Sequence, residues 1–406
     1  MNPKRILLVV GFVIFVIAMA FALYWVFFRG GSLPGGGDDN TNAGGSLPNI
    51  GAGNVSIIST STPNIDSLPF DQIKDRISPV ANGGLTAVNT ITESSIKGLN
   101  NSAFGLRYYD ENEKKFYKLN EKGEPEVLDD KQFHNVDKVS WSQKGDKAVL
   151  EYPDGNNILY NFETGDQVTL PVELEDFSFD RSGTSLAAEW IDASGNDENN
   201  WLVLVSENGA NIDLIEPLGD QAADTQVAFS PDNQVAALYR EYIDTQRQEV
   251  YPIGIHGENF SSFVVNGAGF TSEWSPGGRS LVYSVYNKES DYLPTLHVTQ
   301  GNTSSLGQIK VSLNLNTWPE KCTFASEDTM YCAVPRGLPR GAGLYPEIAQ
   351  DYTDTFYSVN LNSGVQQLIA DPVGASLGYN AHDLFVSGDN LYFTDQDGVL
   401  QMIQLQ

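Results

Sequence analysis

Trp141-Ser-Gln-Lys-Gly-Asp-Lys-Ala-Val-Leu150 and Trp274-Ser-Pro-Gly-Gly-Arg-Ser-Leu-Val-Tyr283 share one plan: an aromatic residue, a short turn of Ser, Gly, Asp or Pro, then an apolar run. The plan recurs as Phe179-Asp-Arg-Ser-Gly-Thr-Ser-Leu-Ala-Ala188 and Phe229-Ser-Pro-Asp-Asn-Gln-Val-Ala-Ala-Leu238, with weaker copies at Phe324–Tyr331 and Phe385–Phe393. Successive copies are 38, 50, 45, 50 and 61 residues apart. Such turn residues fold the chain back sharply between two extended runs, so each copy reads as a hairpin.

A second hairpin alternates with the first, with a glycine in a polar turn. It is seen at Tyr117–Leu128, Leu159–Val168, Leu204–Ile212 and Val359–Leu368. Two hairpins make four antiparallel strands per unit of about 40–50 residues, the size of one β-propeller blade. Five full units start near residues 139, 177, 227, 272 and 322, a last unit covers 384–406, and residues 76–128 supply another. The expectation is an all-β, seven-bladed propeller, with six blades as the alternative if 76–100 is irregular. Pairing of the N- and C-terminal segments would close the ring and remove exposed sheet edges.

Outside this region the composition changes. Ile6–Phe28 is 23 residues without a charge, followed by Arg29 and preceded by Lys4 and Arg5. A helix of that length reaches about 35 Å, enough to span a hydrocarbon core. Ala18-Met19-Ala20 resembles a signal-peptidase site, but the apolar run continues to Phe28, longer than a signal core, which favours an uncleaved anchor. The basic N-terminal flank then places the N-terminus in the cytoplasm and the remainder outside. The expected organisation is a signal-anchor transmembrane helix over 1–29, a flexible Gly/Ser/Pro/Asn linker over 30–70 and the propeller over 71–406, in a single-pass protein of a bacterial cell membrane.

The 406 residues carry 24 Lys and Arg against 52 Asp and Glu, for a net charge of −28. Residues 1–70 are neutral overall, so the whole excess lies on the domain. That sign excludes phosphate-backbone recognition, and no nucleic-acid partner is expected. The composition is 41% hydrophobic, enough for a large core.

The Ser-Pro-Asp and Gly-Gly turns resemble the WD-like repeats of TolB-type propellers. Ile77-Ser-Pro-Val80, Leu106-Arg-Tyr-Tyr109, Trp141-Ser, Lys321-Cys322 and Tyr331-Cys-Ala-Val-Pro335 more closely resemble a family of membrane-anchored propeller proteins of candidate-phylum bacteria. That resemblance implies a propeller fold and an envelope location, and implies no activity or catalytic residues. The aromatic Tyr-Pro segment of that family is weakened here to Tyr345-Pro-Glu-Ile-Ala-Gln-Asp-Tyr352.

Cys322 and Cys332 flank a hairpin turn at Glu327-Asp328 and are expected to face each other within disulfide range. Gly374-Ala-Ser-Leu-Gly378 matches a nucleophile elbow, but too little chain remains after it for an acid and a histidine on a strand–turn–helix, so loop glycines are the reading. Asp192–Glu198 and Asp395–Gly398 are read as solvated turns and His134, His256, His297 and His382 as isolated, so neither metal, cofactor nor catalytic residue is expected.

The strongest functional pointer is a set of long loops expected on one rim. They carry Trp190, Trp201, Arg240, Tyr242, Tyr286, Tyr292, Arg336, Arg340, Tyr345 and Tyr352. Aromatic residues and arginine dominate binding hot spots, so a non-catalytic module binding an envelope protein or glycan is expected. The alternatives are a propeller glycan hydrolase or lyase, which needs paired carboxylates at the central channel, and a TolB-like envelope assembly factor.

Overall fold

The computed structural model describes Met19 and residues 76–102, 105–120, 122–258, 260–374 and 378–406. The chain divides into two compact units, Met1–Pro63 and Asn64–Gln406, and the second carries every described strand.

The repeated turns explain the fold locally. The backbone N–H of Ser142, Asp180, Ser230, Ser275 and Asp395 each donates across its turn to the strand beyond it. The side chain of the same residue then locks the turn. Ser230 Oγ accepts from Val235 N (2.9 Å), Ser275 Oγ from Ser280 N (3.0 Å) and Asp180 Oδ1 from Ser185 N (3.0 Å). A left-handed residue completes the reversal, Gly278 in one copy and Asn233 in another. In three copies the aromatic residue before the turn is buried: Phe179, Phe229 and Trp274. The motif therefore specifies both a turn and a packing residue.

The strands form antiparallel meanders. Four sheets have four strands each, beginning at Lys138–Trp141, Leu174–Phe179, Thr225–Val227 and Ala268–Trp274. A fifth begins at Cys322–Phe324 and gains Gly84–Ala87 as a parallel edge strand on Gln366–Val373. Neighbouring sheets bury their faces on each other. Val149 and Leu159 pack on Leu186 and Val203, Ala187 and Leu202 on Ala236 and Ala237, and Val235 and Leu238 on Phe270 and Leu281.

The count of seven blades, or six, is corrected by the pairing. Five separate blades of four or five strands succeed one another, and the remaining strands run as a single seven-stranded sheet. The reason is Asn89–Ser102, a single 14-residue strand that serves both ends of this sheet. Its first half pairs with Val399–Gln404 and its second with Gly105–Asp110, so the two ends of the domain share a strand. Tyr392 and Leu400 pack on Ile96, Leu106 and Tyr108 across this junction.

The expected N-terminal transmembrane helix, and the single-pass membrane placement built on it, are also corrected. Among the described residues no helix is long and apolar enough to cross a membrane. The 3-10 turns among the described residues run three to six residues, such as Gly219–Asp224 and Pro346–Asp351, which at about 2 Å per residue fall far short of a bilayer. Apart from Met19, residues 6–28 and the expected linker over 30–70 lie outside the described residues.

Candidate functional site

The first strands of the sheets converge on a central channel, where they enclose a cavity of about 650 Å³. Its charged lining consists of Asp176, Glu273, Glu320 and Asp383, with Lys138 and Arg240.

A recurring irregularity presents these side chains. In four strands two residues oppose one on the neighbouring strand: between Lys97 and Asn100, Glu175 and Ser178, Ala268 and Thr271, and His382 and Phe385. Such bulges bend a strand and re-aim a side chain. The first extra residue is left-handed each time: Gly98, Asp176 (φ 51°), Gly269 and Asp383 (φ 45°). Glycine is required at two of them, since a Cβ would lie 2.5 Å from Val139 at Gly98 and 2.3 Å from Tyr286 at Gly269. The other two hold aspartate in a conformation that strains an L-residue, and both line the channel. Strain retained at two carboxylates facing one cavity points to their use there. Asp383→Gly is expected to leave urea-unfolding stability within about 1 kcal/mol of the parent, because relief of backbone strain offsets the lost Thr394 contact. A loss of several kcal/mol would assign Asp383 a purely structural role.

The two cations are already neutralised. Lys138 Nζ lies 3.1 Å from Asp176 and 3.8 Å from Glu151. Arg240 Nε lies 3.3 Å from Asp224, and another guanidinium nitrogen donates to the Phe270 carbonyl. Burial pushes the Glu273 carboxyl up to about 8, with a further contribution from the charge of Glu320. Burial also raises Glu320, but its own backbone N–H and the nearby Lys321 ammonium work the other way. Asp383 is raised by burial, partly offset by His382 and by Thr394, whose hydroxyl donates to it at 3.3 Å. Beside Asp176, burial and then the charges of Asp176 and Glu175 lift Glu189 to about 8.

Behind the channel, Lys321 is buried. Its ammonium meets Asp354 Oδ2 at 2.9 Å and donates to the Ala381 carbonyl at 2.8 Å and Asn380 Oδ1 at 3.1 Å. Asp354 also accepts from Ala381 N at 2.7 Å, so this cluster joins the fifth sheet to the segment leading into His382–Ser387. Next to it, Cys322 and Cys332 face each other in register and are disulfide-bonded, with Cα atoms 4.0 Å apart. Replacing both by serine is expected to cost about 2–3 kcal/mol in urea unfolding, from the closed loop alone.

The rim residues separate into groups. Trp190 and Trp201 are cross-strand partners, half-buried against the core of their own sheet. Arg240 lies in the channel wall. Tyr286, Tyr292 and Arg340 come together where two loops dock. Gly341 N donates to the Asp291 carbonyl (3.0 Å), Gly343 N to the Tyr292 carbonyl (2.8 Å), and Arg340 pairs with Asp291 (3.4 Å). Arg336 pairs with Asp371, and the Tyr352 carbonyl accepts from Asn380 at 2.9 Å. Tyr242 and Tyr345 are the outward-facing aromatic members, 54% and 62% exposed.

The other sequence candidates do not form a site. His134 and His256 are exposed, His297 stacks on Tyr283, and His382 is half-buried beside Lys321. Among the described residues no group of three or more His, Cys, Asp or Glu could hold a metal ion. Asp395 serves its own turn, and Asp192 binds its own loop through Ser194 and Asn199. Of the Gly-x-Ser-x-Gly segment, residues 375–377 lie outside the described residues.

No protein-family model matches this chain, and no curated protein matches it. Among solved structures it is similar to an oligogalacturonate lyase of Vibrio parahaemolyticus, with 12% identity, a TM-score of 0.47, and coverage of 78% of this chain and 93% of that one. An oligogalacturonate lyase in complex with manganese is similar at 14% identity and a TM-score of 0.48, covering 79% of this chain and 93% of that one. The protein is a β-propeller by its own strand topology; its finer family, TolB-type or other, is not assigned by these matches.

Proposed function

We propose that the protein is a carbohydrate-acting propeller that cleaves a glycosidic linkage in its channel by acid–base chemistry. The observation that carries this reading is the Glu273–Glu320 pair. Both carboxyls line one cavity, and burial raises both, Glu273 to about 8 with a further contribution from the charge of Glu320. Glu273, raised to about 8, holds its proton at neutral pH, while the backbone N–H of Glu320 and the Lys321 ammonium oppose part of the rise at Glu320. Glycoside hydrolysis uses two carboxyl groups facing one cavity, one as acid and one as base, and this pair supplies the groups with Glu273 as the proton donor.

Glu273 would donate its proton to the glycosidic oxygen as the carbon–oxygen bond breaks. The Glu320 carboxylate would take a proton from the water whose oxygen bonds to the anomeric carbon. A cavity of about 650 Å³ lies in the range of small-ligand sites. Because Lys138 and Arg240 are held by Asp176 and Asp224, the described lining residues offer no unpaired cation for a uronate. The substrate class is therefore a neutral or amino sugar.

The test is incubation with neutral, amino and uronic oligosaccharides, with products resolved by chromatography and mass spectrometry. New reducing ends from the neutral or amino set are expected, with the uronic set untouched. Cleavage confined to uronic substrates, with unsaturated products, would overturn the assignment of both residues and substrate.

A second reading, a partner-binding rim, is favoured by the exposure of Tyr242 and Tyr345. It predicts that alanine at both positions abolishes capture of a protein or glycan partner and leaves the channel chemistry intact.

A further inference from the structure

A separate cleft lies between the second and third sheets, away from the channel residues. It encloses about 500 Å³. Its apolar lining includes Leu218, Ile253 and Phe260, and on one wall the rings of Tyr239 and Tyr251 stack with centroids 5.8 Å apart and planes at 26°. The two tyrosines are direct cross-strand partners on the hairpin Val235–Gly254, which sets their spacing by the sheet. Tyr251 is hydrogen-bonded to Glu249, and Glu249 in turn accepts from Ser262, so the ring is pinned from behind.

The polar boundary of the cleft is of one sign. Glu216, Glu241 and Glu258 line it, and no described lining residue is a lysine, arginine or histidine. The nearest arginines of the hairpin, Arg240 and Arg247, are engaged by Asp224 and Asp244. From the loop beside the cleft, His256 donates its backbone N–H to Glu258 at 2.7 Å, which steadies that carboxylate. An aromatic wall, an apolar floor and three carboxylates that no described lysine or arginine pairs with complement one chemistry: a cationic head on an apolar body.

We infer that this cleft binds a small organic cation, with its ammonium group against Tyr239 and Tyr251 and among Glu216, Glu241 and Glu258. The ring faces supply quadrupole attraction, the carboxylates supply charge, and Leu218, Ile253 and Phe260 take the apolar part. The inference does not depend on the channel reading, because none of these residues lines the channel.

The test is isothermal titration of the full chain with 2-phenylethylammonium and with its neutral analogue 2-phenylethanol. The ammonium compound is expected to bind at least about tenfold more tightly, and to weaken as salt is raised. Tyr251→Leu and the double change Glu216→Gln with Glu241→Gln are each expected to weaken it by about tenfold. The double change is confined to exposed side chains, so the fold is retained and circular dichroism stays unchanged. Glu273→Gln is expected to leave this binding as it is, which separates failure here from failure of the channel reading. Equal binding of the alcohol, absence of binding, or binding only of a lysine- or arginine-containing peptide would overturn the inference.

Discussion

Glu273→Gln is expected to lower turnover of a neutral or amino oligosaccharide by about 10²–10⁴-fold while leaving substrate binding largely intact. Glutamine preserves the size and one hydrogen-bonding edge of the side chain but has no proton to give. The parent protein should show a falling limb of activity near pH 8, where Glu273 loses its proton, and the variant's residual activity should lack that limb. Stability tracks the same titration with a definite sign. The folded carboxyl titrates near 8, above its ordinary value of 4.5, so the fold binds this proton more tightly than the unfolded chain does. That contribution is fully present below about pH 4.5 and is lost as pH rises through 8. Glu273→Gln should therefore flatten the decline in unfolding free energy between those limits. A variant with unchanged turnover and an unchanged falling limb would remove Glu273 from the chemistry.

Asp354→Ala is expected to destabilise the domain by about 3–5 kcal/mol, the largest single effect on folding. Lys321 and Asp354 are both almost wholly buried, and the ammonium would be left with only neutral acceptors, the Ala381 carbonyl and Asn380. The Ala381 N–H would lose its acceptor as well. Much of the cost is the penalty of a stranded charge, so replacing both partners, as in Lys321→Met with Asp354→Leu, should cost less than Asp354→Ala alone. Urea unfolding of the two variants checks both statements. A loss below about 1 kcal/mol for Asp354→Ala would show that water or a rearranged side chain reaches Lys321.

The repeat was legible because it encodes something local. Ser230 and Ser275 lock their turns and Phe229 and Trp274 fill the space between sheets, so the same residues recur wherever that geometry does. The number of separate blades was not legible, because it turns on whether the chain breaks near Ser95, and Asn89–Ser102 carries no Pro or paired turn signal to decide that. The channel acids left a faint trace. Asp176, Glu273 and Asp383 stand one to three residues before the repeat aromatics Phe179, Trp274 and Phe385, on strands that read as turn-flanking runs. Their convergence is a property of ring closure and of the bulges, which no single strand reveals. The rim aromatics drew attention by composition, yet Trp190, Trp201, Tyr286 and Tyr292 are half-buried in loop and sheet packing, and only Tyr242 and Tyr345 face outward.

The most direct measurement is the carboxyl-carbon NMR titration of glutamate-labelled protein, comparing the parent with Glu273→Gln. Besides the resonance of Glu189, a resonance titrating near pH 8 that is absent in the variant and shifted to lower pH by Glu320→Gln is the predicted result. If every glutamate assignable to the channel titrates near its ordinary value and is indifferent to Glu320, the channel has no proton donor at neutral pH, and its assignment as an acid–base site is wrong.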